Sequence, residues 1–292
     1  MGYFGAKKEM VLKALSQRFV GKLYIMSLLI MFNAHGLKAS EVGMDLSIIT
    51  WNVWFDDDSG RWRYPLILNE LSKQDADILL LQEVTPSFLE IMIQHPLSNN
   101  YYISQSNQGA SYQNITLTKQ YPVASDVLAL ESNMQRKALI VQLELPSSTE
   151  LISVVNVHLE SPLDHSWLRE RQIQQIIAFV EDENNLLIGG DFNFGNGTSA
   201  EATLSRQLFD LAYKGEYYDQ PTFDVENNDW AKQTKYWFES SRRLDRLYHD
   251  LSFVVGSKYS LFANHPVFEG KDYLSDHFGV RADFSFIIDS IE

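Results

Sequence analysis

The sequence predicts an α/β domain over residues 44–292, and three observations predict it. Apolar runs of strand length recur along the chain. Between them fall segments with apolar residues at i, i+3, i+4 and i+7, the spacing of one helix face. No linker rich in Pro, Gly and Ser separates the two kinds of segment, so they belong to one folding unit.

The elements follow in order. Leu46 to Val53, LSIITWNV, reads as a buried strand. A helix is expected from near Arg61 to Leu71, with Leu66, Ile67 and Leu71 on one face. Asp77 to Val84, DILLLQEV, is a second continuous apolar strand, and Ser87 to Ile93 looks helical until Pro96 ends it. Tyr101 to Leu145 reads as short strands separated by turns, and Glu150 to Ser161 as another strong strand. Asp164 is placed to cap a helix reaching Val180, with Ile173, Ile176, Ile177 and Val180 along its buried stripe. The strand LLIGG comes next, then an expected helix over 199–214 and a strand within Arg242 to Asp250. Gly279 to Ile288 alternates apolar and polar residues, as a half-exposed strand does.

Composition narrows the chemistry. Hydrophobic residues make up 45% and aromatics 13% of the chain, enough for a sizeable core. A net charge of −14 argues against a broad basic surface gripping many phosphates. It leaves room for a phosphate ester beside a cation bound by carboxylates. Cysteine is absent, which excludes disulfides, thiolate metal sites and thiol nucleophiles.

Residues 1–40 form a separate segment. Lys7, Lys8, Lys13, Arg18 and Lys22 precede the apolar run LYIMSLLIMF, and small residues follow. This is the layout of a secretory signal peptide, so export to a periplasm or the exterior is expected, with no stable membrane span after its removal. An amphipathic helix outside the main domain is the alternative, with a cytoplasmic protein.

Polar residues gather where the strands stop. Asn52 and Glu83 end the first two strands. His158, Glu160 and Ser161 end the strand near 155, and Asp191 and Asn193 follow the glycines of LLIGG. Asp245 lies on the strand near 245, and Ser275, Asp276 and His277 precede the last strand. Singly, such residues favour turns for local reasons. Together they form an oxygen-rich set at sheet ends that converge on one crevice. That donor set suits Mg²⁺, or Mn²⁺, better than structural zinc.

The motifs TWNV, LQEV, HLES, GDFN and SDH, in this order, resemble the endonuclease/exonuclease/phosphatase superfamily with its deoxyribonuclease I-like fold. Within it the chain looks most like the 5′-tyrosyl-DNA phosphodiesterases of the metal-dependent type. Arg171 and Gln174 fit that family's Arg-x-x-Gln helix, PTFDVENN resembles its TWDT-like segment, RLDRLY its F-D-R-I segment, and Met134 and Arg136 its Met-Arg pair. The resemblance implies a four-layer α/β sandwich, two mixed β-sheets flanked by helices. It implies Mg²⁺ at Glu83 and Asn52, with Asp276 reaching that metal or a second one. It gives Asp191 the attacking water, Asn193 the orientation of water or phosphate, His277 the scissile phosphate and Asp245 the orientation of His277. His158 and Ser161 become phosphate contacts and Arg136 a substrate clamp.

The expected reaction is Mg²⁺-dependent phosphodiester hydrolysis, most of all at DNA ends or on other nucleic acid. Alternatives are an exported enzyme acting on a lipid, inositol or sugar phosphate, and a catalytically silent binding domain. Arg61, Arg63, Arg136, Lys137, Arg242, Arg243 and Arg246 are the candidates for a local basic groove. Trp54, Phe55, Trp62, Trp230, Tyr236 and Trp237 are candidates to stack on bases or on a tyrosyl group.

Overall fold

The computed structural model describes residues 43–107, 109–144, 150–183, 185–236, 238–251, 254–268 and 272–287. The leader-like segment 1–40, Trp237 and the last residues of the predicted domain lie outside them.

Two mixed sheets of six strands face each other. The first contains β1 (Gly43–Asn52), β2 (Ile78–Val84), β3 (Tyr102–Gln105), β4 (Gln113–Thr118), β11 (Val254–Phe262) and β12 (Gly279–Ile287), in the order β11-β12-β1-β2-β4-β3. The second contains β5 (Ala124–Ala129), β6 (Lys137–Glu144), β7 (Leu151–His158), β8 (Leu186–Asp191), β9 (Phe209–Asp210) and β10 (Asp245–His249), in the order β5-β6-β7-β8-β10-β9. The pairs β1–β2 and β7–β8 are parallel, and the other ladders are antiparallel.

Strand periodicity builds the layers. Ile48, Ile78 and Leu80 point from the first sheet into an apolar layer shared with Leu139, Val141, Val154, Leu187 and Leu247 of the second. The alternate residues Ile49, Leu79 and Leu81 face outward and meet α1 (Asp57–Gln74) and α2 (Pro86–Gln94) through Ile67, Leu71, Phe88 and Met92. The outer face of the second sheet packs Val155, Val157 and Ile188 on Ile173 and Ile176 of α3 (Ser166–Phe179) and Leu204 of α4 (Ser199–Leu204). Each such side chain, fully buried, contributes about 1.5–3 kcal/mol. The order helix, sheet, sheet, helix is the four-layer sandwich expected. Among the described residues, no helix is long and apolar enough to cross a membrane.

Several boundaries differ from expectation. Helix α1 begins before Arg61 because Asp56 caps it, accepting from Asp58 N and Ser59 N. Asp164 caps nothing: it lies in a short 3-10 turn, Leu163–His165, and α3 starts at Ser166 without a side-chain cap. The helix expected over 199–214 stops at Leu204. Asp210 is instead drawn into β9 beside β10, where it pairs with Arg243 at 2.6 Å. Strand β11 and helix α5 (Asp229–Thr234) had no counterpart in the pattern of apolar residues.

Candidate active site

Parallel registry brings the polar strand ends level. His158 at the end of β7 sits opposite Asp191 at the end of β8, and Asp191 sits opposite Asp245 at the start of β10. The two glycines before Asp191 make this possible. Gly190 has φ +149°, and a Cβ there would lie 1.9 Å from the Val157 carbonyl oxygen. A Cβ on Gly189 would meet Leu247 and Leu80 at 2.5 and 2.7 Å, so glycine lets the two sheets close at this point.

The first sheet supplies the facing wall. Asn52 ends β1 opposite Gln82, and Glu83 follows in a left-handed conformation (φ +59°) where the β2–β4 register shifts. The Glu83 carboxylate accepts from Phe55 N at 3.1 Å, and Asn52 Oδ1 from Trp54 N at 3.0 Å, so the two side chains latch one loop side by side. Asn52 Nδ2 crosses to the second sheet and donates to Asp191 Oδ2 at 3.1 Å. The Ser275–His277 segment is pinned over this junction: Ser275 Oγ donates to Asn52 O at 2.7 Å and Trp51 Nε1 to His277 O at 3.0 Å.

Asp245, His277 and Asp191 form a buried chain. His277 Nδ1 is 2.7 Å from Asp245 Oδ2, and its Nε2 is 3.9 Å from Asp191 Oδ2. Burial disfavours the imidazolium, but the Asp245 and Asp191 carboxylates outweigh it and hold the His277 pKa well above the ordinary histidine value. Asp191 remains ionised: burial pushes its pKa up, while the His277 charge and N–H donors from Asn52 and Asn193 carry it below the usual value. Asn193 donates its own N–H to Asp191 Oδ1 at 2.9 Å and its Nδ2 to Leu159 O at 3.1 Å.

His158 is in the opposite state. Burial, then the Arg136 guanidinium, push its pKa well below the ordinary value. Arg136 Nη1 lies 3.0 Å from His158 Nδ1, and because the guanidinium can only donate, Nδ1 accepts. The imidazole proton is therefore on Nε2, 3.4 Å from Asp191 Oδ2 and 3.8 Å from Glu83 Oε1. Arg136 Nη2 also donates to Ser161 Oγ at 2.6 Å. A cavity of about 370 Å³ opens beside Arg136 and His158, lined in part by Tyr112, Asn114 and Lys137.

A divalent cation has two candidate places, and charge chooses between them. Ligand-type atoms of Asp191, Asp245 and His277 lie within 4.8 Å of one another. A charged imidazolium already occupies the middle of that group, which disfavours a second cation. Glu83 and Asp276 present the reverse case. Burial and then the Asp276 carboxylate push the Glu83 pKa up to about 7, and Asp276 is raised by burial and by Asp191. Two carboxylates that repel each other, Asp276 buried and Glu83 half-buried, with Asn52 alongside, are an oxygen-only set of the kind hard cations take. The residues present fit the metal.

Every predicted site residue thus lies at the same end of the two sheets. Other expectations need correction. Arg171 is exposed and pairs with Glu131 at 3.1 Å, and Gln174 faces solvent. Arg169 and Gln172 are the buried pair of α3: Arg169 Nη1 donates to Glu160 O at 2.9 Å and Gln172 Oε1 accepts from Glu160 N at 3.0 Å. Of the candidate groove, Arg63, Arg243 and Arg246 are buried and spent on interior partners. Trp54 is buried between Trp230 and Arg63, whereas Phe55 is half exposed and stacked on Tyr112 at 5.4 Å. Phe223, at 5.1 Å from the His277 ring, and Thr234, donating to Asp276 at 2.9 Å, were not foreseen. Phe223 comes from a loop and Thr234 from the end of the short helix α5, and neither stretch of sequence carries a periodic signal.

Comparison with known proteins agrees with this geometry. Residues 49–277 match the Endonuclease/Exonuclease/phosphatase family. Tyrosyl-DNA phosphodiesterase 2 of Xenopus laevis is 24% identical over 271 residues, covering 88% of this chain and 71% of that protein. The Gallus gallus protein of the same name is 25% identical over 256 residues, covering 83% and 67%. Among solved structures, truncated TDP2 of Caenorhabditis elegans superposes with a TM-score of 0.71 at 23% identity, covering 82% of this chain and 97% of that one. TDP2 of D. rerio, complexed with a single-strand DNA product, gives 0.70 at 21% identity, covering 82% and 98%.

Proposed function

The chain belongs to the Endonuclease/Exonuclease/phosphatase family and is a metal-dependent phosphoric ester hydrolase, and on that premise we propose that it cleaves phosphodiester bonds at nucleic-acid ends with Mg²⁺. One observation carries the reading: Asp191, hydrogen-bonded to Asn52 at 3.1 Å, meets the Asp245–His277 pair and, across His158, the Glu83 carboxylate at one junction of the two sheets, where the surrounding charges favour an ionised Asp191 and a cationic His277. The relatives named for tyrosyl-DNA hydrolysis support the choice of substrate.

Glu83 and Asp276 would hold the cation, with Asn52 at its edge. When bound, the cation supplies neutralisation of the non-bridging and leaving oxygens. Asp191, ionised and fixed by two donors, orients the attacking water and takes its proton, and Asn193 keeps that carboxylate in place. His277 donates from Nε2 to a phosphate oxygen as charge grows there, while Asp245 fixes its ring and stabilises the imidazolium. His158, protonated on Nε2, and Ser161 contact the phosphate. Arg136 clamps the esterified group at the mouth of the neighbouring cavity. The mechanism needs no covalent intermediate.

The test is release of tyrosine from a 5′-phosphotyrosyl oligonucleotide with Mg²⁺, and its loss with EDTA. Absence of cleavage of that substrate and of every other oligonucleotide would refute the nucleic-acid reading. A second reading is favoured by the burial of Arg63, Arg243 and Arg246, which leaves few basic residues for a polyanion. It is the same hydrolysis on a small, lipid or sugar phosphodiester by a protein exported through residues 1–40. Turnover of bis(p-nitrophenyl) phosphate without any oligonucleotide cleavage, and a mature N-terminus near residue 40, would support it.

A further inference from the structure

Glu160 is a fully buried carboxylate that the reaction above does not use. It lies between two site residues, His158 and Ser161, yet its side chain turns toward the loop 131–136. Its Oε2 accepts from Ser132 Oγ at 2.7 Å, and its Oε1 accepts from Asn133 N at 3.2 Å. Ser132 Oγ, its proton spent on Glu160, accepts in turn from Met134 N at 2.9 Å and Arg136 N at 3.0 Å. The loop closes on itself through Leu130 N and Arg136 O at 3.1 Å, and it kinks at Gln135, which has φ +60°. The Arg169 guanidinium donates to the carbonyl of Glu160 and to those of Pro162 and Leu163.

We propose that Glu160 is the positioning residue of the Arg136 clamp, acting through Ser132 on the loop that carries it; the assignment rests on the phosphodiesterase reading above. Burying a carboxylate is costly unless donors surround it, and a neutral side chain would fill the same space. The charge gives Ser132 a strong, directional acceptor and so frees both its lone pairs for the two loop amides. Glutamine would return one acceptor and one N–H₂ group, leaving either Ser132 or Asn133 N facing a donor. The gain is precision at the far end of a long side chain. Arg136 must reach His158 Nδ1 and Ser161 Oγ together, and an ångström of loop drift breaks that pair of contacts.

The experiment is a cycle of Glu160→Gln, Ser132→Ala and Arg136→Ala, assayed with Mg²⁺ on 5′-phosphotyrosyl oligonucleotide and on bis(p-nitrophenyl) phosphate. Glu160→Gln and Ser132→Ala should each raise KM by about tenfold with kcat within about threefold of wild type, and neither should raise KM further in the Arg136→Ala background. Equal effects in both backgrounds, or a fall in kcat alone, would overturn the proposal. Hydrogen exchange read alongside is independent of turnover. In both single variants the amides of Met134 and Arg136 should exchange faster, with the strands of both sheets unchanged. If the wild type hydrolyses neither substrate, the functional reading fails, and unchanged exchange at those two amides would then sink the positioning role as well.

Discussion

Asp191 owes its ionised state to an imidazolium 3.9 Å away and to N–H groups of Asn52 and Asn193 at 3.1 and 2.9 Å. Asp191→Asn keeps the shape and removes the charge. It should lower kcat by about 10²–10⁴-fold with the circular dichroism spectrum unchanged. On the proposed mechanism, His277→Gln removes the cation that would face the phosphate and should cost a similar factor, about 10²–10³-fold. A variant of either kind retaining near wild-type turnover would remove that residue from the mechanism. Gly190→Ala tests the backbone instead: its Cβ would fall 1.9 Å from Val157 O, so β7 and β8 must separate. Destabilisation of about 1–3 kcal/mol or more is expected, read as a lower midpoint in urea. At this scale the site was largely legible, because Asn52, Glu83, Asp191, Asp276 and His277 are polar types placed where apolar strands end. The phase of α3 was legible as well, since Ile173 and Ile176 of the expected stripe are buried, but the motif match to Arg171 and Gln174 ignored it. Choosing Arg169 over Arg171 needs the helix rotation, which Leu168, Ile173 and Ile176 set by burial. Glu160 stood out as an acid at a strand end, but its role was not legible, because its partners come from a loop about 28 residues away in sequence.

Elements were legible in proportion to their burial. Strands β1, β2, β7 and β8 are continuous apolar runs and appeared within about three residues of their bounds. Strand β11 escaped because residues 255–258 are exposed and carry no apolar stripe. The false helix over 199–214 shows tertiary override. Arg243 and Arg246, both buried, take Asp210 and Glu201 as partners, which ties α4 and β9 to β10. Such a network is poor evidence for stability as a whole, yet losing one member strands the others. Arg246→Ala should lower stability by about 3–5 kcal/mol in chemical denaturation. Arg246→Met, which leaves Arg243 to answer both acids, should cost less. Equal stability of Arg246→Ala and wild type would show that the network is solvated and expendable.

For the whole molecule, two facts that a sequence displays, apolar strands buried on both faces and helices with a single apolar stripe, predict an α/β domain, and the four-layer order came only with the family resemblance. The split into two sheets is not displayed, since β4 and β6 look alike in pattern and only pairing separates them. The repelling carboxylates at the junction lead to a measurable linkage. A cation that binds Glu83 and Asp276 in the folded state alone must raise thermal stability by mass action. Millimolar Mg²⁺ should raise the melting temperature by about 2–4 °C per kcal/mol of binding stabilisation, and EDTA should reverse it. Glu83→Gln should abolish the rise. A melting temperature indifferent to Mg²⁺ and Mn²⁺ would place the cation elsewhere or deny it.

The Asn52–Asp191 hydrogen bond joins groups carried by different sheets, as do all the partnerships between His277 and the second sheet. The working parts are thus mounted on two separate plates held by an oily seam. Slippage of one plate by a single strand residue, about 3.3 Å, would pull every pair out of reach. Turnover in this protein therefore doubles as an alignment gauge: any substitution in the seam, however remote from the chemistry, should register first as lost rate and only later as lost fold.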